Sequence, residues 1–141
     1  MTNPYSDRPM LSKLDGFRIE VDADAERGDI VLERAPMNVI SMDQRDQLRA
    51  AFEALDADDA VRVIVLRAEG EHFSSGGYIH GFLDASPEHV SHLADNVAAP
   101  WRCAKPVIAA NKGYTFGVGF EISLACDFRI AAKSTFYALP E

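Results

Sequence analysis

Two glycine-containing turns are the parts of this sequence whose residues could do chemistry. The first turn is Ser74-Ser75-Gly76-Gly77, and the second is Gly117-Val118-Gly119, which opens a short apolar helix. Both follow apolar strands, and ligands of α/β folds bind outside the carboxyl ends of strands. Backbone N–H groups at a helix start are unpaired and lie at the positive end of the helix dipole. The turns are therefore predicted to present N–H groups to one oxyanion.

Glu121 lies near the start of the helix that follows the second turn. The helix dipole alone would favour a carboxylate there, and glycines are common in turns that bind nothing. The N–H of Val118, three residues earlier, would point to the same region, which favours a functional role for Glu121. Known glycine motifs do not fit, because the chain has no P-loop, no complete dinucleotide fingerprint and no G-x-S-x-G.

Composition and charge narrow the possible partners. The 141 residues carry 22 acidic and 14 basic side chains, and a net charge of −8 disfavours nucleic acid or an anionic membrane as a partner. No apolar run approaches the roughly 20 residues of a membrane span, and the N-terminus does not have the pattern of a secretory signal. Cys103 and Cys126 lie far apart, so no disulfide or zinc site is expected, and a reducing cytoplasm is the predicted compartment.

The histidines give weak signals for a metal site. His89 and His92 are spaced i,i+3 on a predicted helix and could share a metal. The sequence places no acidic partner beside them, so a solvated helix face is the expectation. His72 and His80 flank the first glycine turn and fit an ordinary surface loop. No metal ligand is predicted.

The elements that must position the two turns alternate between strands and helices. Alternating and apolar runs predict strands over residues 17–21, 29–34, 62–66, 106–110, 128–131 and 135–138. The first two form a hairpin, and the runs at 62–66 and 106–110 are expected to be covered on both faces. Helices are predicted after the Ser41/Gln44 capping box, from Ser86-Pro87 to Val97, and over residues 120–126. The pattern predicts an α/β fold with a mostly parallel sheet.

From Asp29 to Glu141 the sequence resembles the enoyl-CoA hydratase/isomerase superfamily, also called the crotonase family. Each matching segment alone is weak evidence for the resemblance, and the occurrence of all of them in order is strong evidence. The segments are 30–38, 61–66, 73–77, 105–110, 117–121, 125–130 and 136–141. It implies a crotonase-like spiral of ββα units that binds acyl-CoA, over a core of residues 16–141 behind a polar lead-in of residues 1–15. Family chains are usually nearly twice as long, so the fold is expected to be incomplete at the C-terminus, as in the N-terminal portion of a larger enzyme.

The resemblance also implies roles for particular residues. The N–H groups of Gly77 and Val118 would form an oxyanion hole for the thioester carbonyl, and Glu121 and Glu141 would be the two catalytic glutamates. Tyr78 stands where many hydratases carry Asp, and Val118 where glycine is common. No metal and no cofactor is implied, since coenzyme A is part of the substrate. The residues implied to contact substrate or CoA are Ser75, Gly77, Tyr78, Ile79, His80 and Val118.

Hydration of an enoyl-CoA is the activity that two glutamates favour, because double-bond isomerisation can use a single base. A ring-opening hydrolase of a cyclic β-keto acyl-CoA needs the same oxyanion hole and stays open. A catalytically silent acyl-CoA-binding subunit is the alternative from another class. The resemblance further implies fatty acid metabolism in the cytoplasm and a homotrimer or a dimer of trimers.

Overall fold

A five-stranded sheet forms the frame of the structure, a computed structural model that describes residues 2–141. Its first two strands form an antiparallel hairpin, and every later neighbour pairs in parallel. The parallel arrangement agrees with the alternation of strands and helices in the sequence. In spatial order the strands are β1 (Phe17–Asp22), β2 (Arg27–Leu32), β3 (Val63–Ala68), β4 (Val107–Asn111) and β6 (Phe128–Ala131).

A second, two-stranded parallel sheet lies next to the glycine turns. It consists of β5 (Tyr114–Phe116) and β7 (Phe136–Ala138). Ser74 of the first glycine turn adds a parallel bridge to Thr115 of β5. The helices are α1 (Met42–Ala57), α2 (Gly81–Asp84), α3 (Pro87–Ser91), α4 (Leu93–Val97), α5 (Ala99–Arg102) and α6 (Val118–Ala125), preceded by a 3-10 helix at Pro9–Leu11.

Helix α1 begins where its capping box predicts. The Ser41 hydroxyl accepts a hydrogen bond from the Gln44 N–H at 3.0 Å, and the Gln44 side chain returns to the Ser41 N–H. The apolar face of α1 buries Leu48, Phe52 and Leu55 against the sheet. This packing forms the main core of the chain.

The helix predicted from Ser86 to Val97 is two helices that break at His92. The His92 N–H bonds to the carbonyl oxygen of His89 in a tight turn, and α4 starts at the next residue. The break turns Asn96 into the interior, where its Nδ2 donates to Asp46 of α1 at 2.8 Å.

Strand β5 was not predicted from the sequence. Only three residues separate Gly113 from Gly117, which is short for a strand, and the partner strand β7 lies some twenty residues further along the chain.

The apolar runs of β3 and β4 predicted that both faces of these strands would be covered. This prediction is wrong, because only one face of each strand is buried. Along β3 the residues Ile64, Leu66 and Ala68 are buried, whereas Val63, Val65 and Arg67 are half-exposed. Strand β4 alternates in the same way. The buried face packs on α1, and the other face carries charged side chains of β1, β2 and β3.

An ion-pair network lies on that second face. Arg67 Nε lies 2.7 Å from Asp29 Oδ2, and its Nη2 lies 2.8 Å from Glu20 Oε2. Asp29 is almost fully buried and also pairs with Arg27 at 2.7 Å. A hydrogen bond from Arg18, together with the charge and hydrogen bond of Arg67, holds the pKa of Glu20 below its ordinary value. Arg67 therefore joins three strands through carboxylates that have little access to water.

Two residues of the predicted polar lead-in, residues 1–15, contribute to the core. Tyr5 and Leu11 are buried, and the Tyr5 hydroxyl donates to Asp58 Oδ2 at 2.7 Å. Lys105 Nζ donates to the carbonyl oxygens of Leu55 and Asp58, at 2.8 and 2.6 Å. The C-terminal end of α1 is thus held by the chain start on one side and by the segment before β4 on the other.

Arg67→Met is expected to lower the free energy of unfolding by about 2 kcal/mol, because it leaves buried Asp29 with one cation instead of two. Arg62→Met is the matched control, since Arg62 is exposed and, within residues 2–141, its one ion pair is with the exposed Glu26. Urea unfolding of both variants measures the difference.

The pH dependence of this loss has a definite sign. A carboxyl whose pKa is lowered on folding stabilises the fold above its unfolded pKa, and that contribution is lost as the pH falls through the folded pKa. The gap between wild type and Arg67→Met should therefore be constant near neutral pH and shrink below pH 4.5, the ordinary value for Glu20. Equal losses in Arg62→Met and Arg67→Met would contradict a special role for Arg67.

Candidate active site

The structure brings the two glycine turns together. Ser74 lies alongside β5, where its N–H donates to the Tyr114 carbonyl at 2.9 Å and its own carbonyl accepts from Phe116 N–H at 3.0 Å. A Cβ built on Gly76 would lie 3.8 Å from the Cα of Gly117. The contact is between backbones, so the turns are placed independently of any long side chain.

Glycine is required at this contact for two different reasons. Gly76 has φ +110° and Gly117 has φ +50°, a region that L side chains rarely adopt. Gly119 has ordinary φ, but a Cβ there would lie 2.6 Å from Ser74 Cβ and 2.8 Å from Ser74 Oγ. The first turn of α6 therefore packs directly against the first glycine turn.

Two backbone donors are left free at this junction. Ile40 N–H donates to Gly76 O and Tyr78 N–H donates to Ile40 O, each at 2.9 Å, so the peptides on both sides of Gly77 are fixed. The Gly77 N–H itself has no acceptor in residues 2–141, and neither does the N–H of Val118, the first residue of α6. Two positioned donors of this kind can stabilise a developing oxyanion.

Both predicted glutamates face the same cavity, which has a volume of about 300 Å³. Glu121 projects from the first turn of α6. Glu141 follows β7, whose Ala138 carbonyl accepts from Gly117 N–H at 3.0 Å. This bond brings the chain end to the second turn, where Glu141 Oε1 lies 2.7 Å from the position of a Cβ on Gly117. Carboxylates from two elements and two free N–H groups thus surround one space.

The predicted contact residues divide into two groups. Ser75, Gly77, Ile79 and Val118 line the cavity with the glutamates. Tyr78 and His80 do not contribute to its wall. Tyr78 is half-exposed over a neighbouring depression beside Ser41, and its ring lies edge-on to His80 with centroids 5.7 Å apart. Within the described chain, the backbone hydrogen bond from Tyr78 N–H to Ile40 O helps to fix the peptide that follows Gly77.

Arg45 lines the cavity and was not predicted from the sequence. It lies on α1, three residues before Leu48 and seven before Phe52, both of which belong to the buried stripe. That spacing is the signal that could have found it. Its guanidinium carbon lies 5.0 Å from the centre of the Phe82 ring. Burial lowers the pKa of Arg45, and the negative charge of Glu121 opposes that shift.

His89 does not lie on a solvated face, as the sequence had suggested, because an acidic partner comes from α1. Its Nε2 lies 2.7 Å from Asp46 Oδ2, while Asp46 Oδ1 accepts from Asn96. With Asp43 these side chains form a group whose ligand atoms lie within 4.8 Å of one another. Both Asp46 oxygens already have partners, so the group is explained as a contact between helices.

Two further features concern helix length and the cysteines. Among the residues that the structure describes, no helix combines the length and hydropathy needed to cross a bilayer. Cys103 and Cys126 are free, and burial raises the pKa of each thiol to about 12. Both thiols therefore stay protonated near neutral pH.

Comparison with known proteins identifies the family. The family model for enoyl-CoA hydratase/isomerase matches residues 26–141. A carnitinyl-CoA dehydratase from Salmonella paratyphi B is 35% identical over 120 residues, which are 80% of this chain and 45% of that protein. The chain therefore belongs to the enoyl-CoA hydratase/isomerase family, and it spans about half the length of the curated relatives it matches.

Solved structures agree on the fold. An enoyl-CoA hydratase/isomerase from Xanthobacter autotrophicus Py2 superposes with a TM-score of 0.81 at 28% identity, over 92% of this chain and 50% of that one. An enoyl-CoA hydratase from Thermoplasma volcanium GSS1 gives 0.78 at 28% identity, over 93% and 53%. The predicted crotonase-like α/β fold is confirmed.

Gly119→Ala is expected to destabilise the protein by about 1–3 kcal/mol, because its methyl group overpacks the contact with Ser74. Ser74→Gly frees that space at the expense of the hydrogen bond from Gly76 N–H to Ser74 Oγ. The double variant should lose less stability than the sum of the two single losses, by at least about 1 kcal/mol. Urea unfolding of the four proteins completes this cycle, and strict additivity would show that the two residues do not press on each other.

Proposed function

We propose that the protein adds water across the 2,3 double bond of an acyl-CoA thioester. The observation that carries the proposal is the meeting of two free backbone donors, at Gly77 and Val118, with two carboxylates in one cavity. Membership of the enoyl-CoA hydratase/isomerase family supports it, and so does the similarity to a dehydratase, whose reaction is the reverse of hydration.

The reaction requires one water molecule and no external reductant or oxidant. A carboxylate takes a proton from water as its oxygen bonds to the β-carbon, and the double-bond electrons move through the α-carbon onto the thioester oxygen. The resulting enolate collapses as the α-carbon takes a proton from a carboxylic acid. Glu121 and Glu141 are proposed for these transfers, because they lie on separate elements around the same space.

The oxyanion hole supplies the main electrostatic contribution in this mechanism. Charge on the thioester oxygen grows as water adds, and fixed N–H donors stabilise that charge without having to reorganise. Each donor would contribute about 3 kcal/mol at the transition state. The α6 dipole adds to the effect, because Val118 is the first residue of that helix.

The cavity walls suit an acyl group. The cavity has a volume of about 300 Å³, and Ile79, Phe82 and Leu93 give it apolar walls. Leu93 and Glu121 also border a second apolar cavity of about 880 Å³. The proposal uses no metal and no cofactor apart from the coenzyme A of the substrate. A cytoplasmic enzyme of fatty acid metabolism, assembled as a homotrimer or a dimer of trimers, belongs to the same proposal. Exposed apolar side chains on β6 and β7, such as Phe128, Ile130 and Phe136, are suited to such an assembly.

Glu121→Gln is expected to lower kcat for crotonyl-CoA hydration by about 10²–10⁴-fold, with little change in acyl-CoA affinity. Glutamine keeps the shape of the side chain but cannot accept the proton. Loss of crotonyl-CoA absorbance measures kcat, and titration calorimetry measures affinity, in the protein that carries these residues. Glu88→Gln, on the exposed start of α3, is the control.

Normal turnover in Glu121→Gln would reduce Glu121 to a partner of the helix dipole. Acyl-CoA binding without turnover in the wild-type protein would instead favour a silent binding subunit. Products from a cyclic β-keto acyl-CoA, but none from crotonyl-CoA, would favour the ring-opening hydrolase. These three results are distinguishable in the same pair of assays.

Val118→Pro tests the oxyanion hole directly. Proline lacks the N–H and is well tolerated at the first position of a helix, which Val118 occupies. We expect a loss of about 10²–10³ in kcat and a stability loss similar to that of Val118→Ala, because both replacements shorten a buried side chain. Val118→Ala keeps the donor and should retain turnover. A folded, fully active proline variant would show that this N–H does not contact the reacting carbonyl.

A further inference from the structure

Arg45 is a buried arginine whose charge has no partner in the described chain. The residue is only 2% exposed, and its Nε has no hydrogen-bond partner. No carboxylate oxygen of residues 2–141 lies within 4.0 Å of its guanidinium. By contrast, each half-buried arginine makes at least one ion pair, as in Arg18, Arg34, Arg49 and Arg67.

The guanidinium of Arg45 is placed beside the proposed oxyanion hole. A Cβ on Gly77 would lie 2.4 Å from Arg45 Nη2, so the side chain rests against the Cα of that glycine. Phe82 covers it from another direction, at 5.0 Å from ring centre to Cζ. The cation therefore borders the same cavity as Glu121 and Glu141.

An unpaired buried cation is costly, by several kcal/mol even after the protein relaxes. The Phe82 ring offsets part of that cost. The charge of Glu121 offsets a further part of that cost, but Glu121 is beyond ion-pair distance and has its own role in the proposed hydration. The arrangement is explained if a bound ligand supplies the missing anion, because a guanidinium binds a carboxylate through two parallel hydrogen bonds.

We propose that Arg45 binds a carboxylate on the acyl group, so that the substrate class is a CoA thioester of a short unsaturated dicarboxylic acid. This inference rests on the proposed function and specifies its substrate. Arg45 is buried at the cavity wall, which favours a group on the short acyl chain over the water-exposed phosphates of coenzyme A. It also offsets the repulsion that Glu121 and Glu141 would exert on a third carboxylate.

The test compares glutaconyl-CoA with 2-pentenoyl-CoA. Both have a five-carbon 2-enoyl chain, and a carboxylate in the first replaces a methyl group in the second. The phosphates are common to both, so the ratio of the two kcat/KM values reports the acyl carboxylate alone. The wild-type protein should prefer glutaconyl-CoA, and Arg45→Met should lower that preference by at least about tenfold.

Two further variants sharpen the comparison. Arg45→Lys keeps the charge but not the planar fork, so its preference should lie between those of wild type and Arg45→Met. Arg49→Met removes an arginine one turn further along α1, which is half-exposed and pairs with Glu53. This control should retain the wild-type preference.

Thermal unfolding gives a readout that does not depend on turnover. Without ligand, Arg45→Met should melt at or above the wild-type temperature, because it removes an unpaired buried charge. Glutaconyl-CoA should raise the melting temperature of wild type more than that of Arg45→Met. A lower melting temperature with equal loss on both substrates would overturn the inference and make Arg45 a partner of Glu121.

The two proposals fail in different ways. If wild type hydrates 2-pentenoyl-CoA and shows no preference for glutaconyl-CoA, the role of Arg45 is wrong and hydration stands. If wild type neither binds nor converts either thioester, the proposed function itself is wrong, and the substrate class falls with it.

Discussion

The close backbone contact between the two glycine turns is the constraint on which the rest of the site depends. Ser74 pairs with β5, and Gly119 lets α6 approach Ser74 to a distance that a methyl group would prevent. The contact sets the separation of the Gly77 and Val118 donors. It also draws β7 alongside β5, and so brings Glu141 to Gly117. One glycine-dependent contact thus orders three of the four groups proposed for catalysis.

The five-stranded sheet supports the contact between the two glycine turns. Its core face is held by α1, while its other face depends on Arg67 and the carboxylates around it. The same helix that fills the core also delivers Arg45 to the cavity, one turn before Leu48. A displacement of α1 would therefore change both the packing of the sheet and the charge beside the proposed oxyanion hole.

Local signals in the sequence predicted the elements that depend on neighbouring residues. The Ser41/Gln44 capping box, the hairpin and the helix after Gly117 were correct because each is decided within a few positions. Strand β5 and the acidic partner of His89 were missed, since each depends on residues distant in the chain. The sequence placed the two turns on one side of the sheet, but their contact distance follows from tertiary packing.

Gly77 illustrates why a motif alone gave an incomplete explanation of the site. Its φ lies outside the positive region, so backbone conformation does not require glycine there. A side chain at Gly77 would instead meet Arg45, whose Nη2 would lie 2.4 Å from its Cβ. Any side chain at Gly77 would push the cation away from the cavity while leaving the N–H donor in place. The residue proposed to donate to the thioester oxygen thus also makes room for the charge proposed to bind the acyl carboxylate, which would link activation of the carbonyl to the choice of substrate.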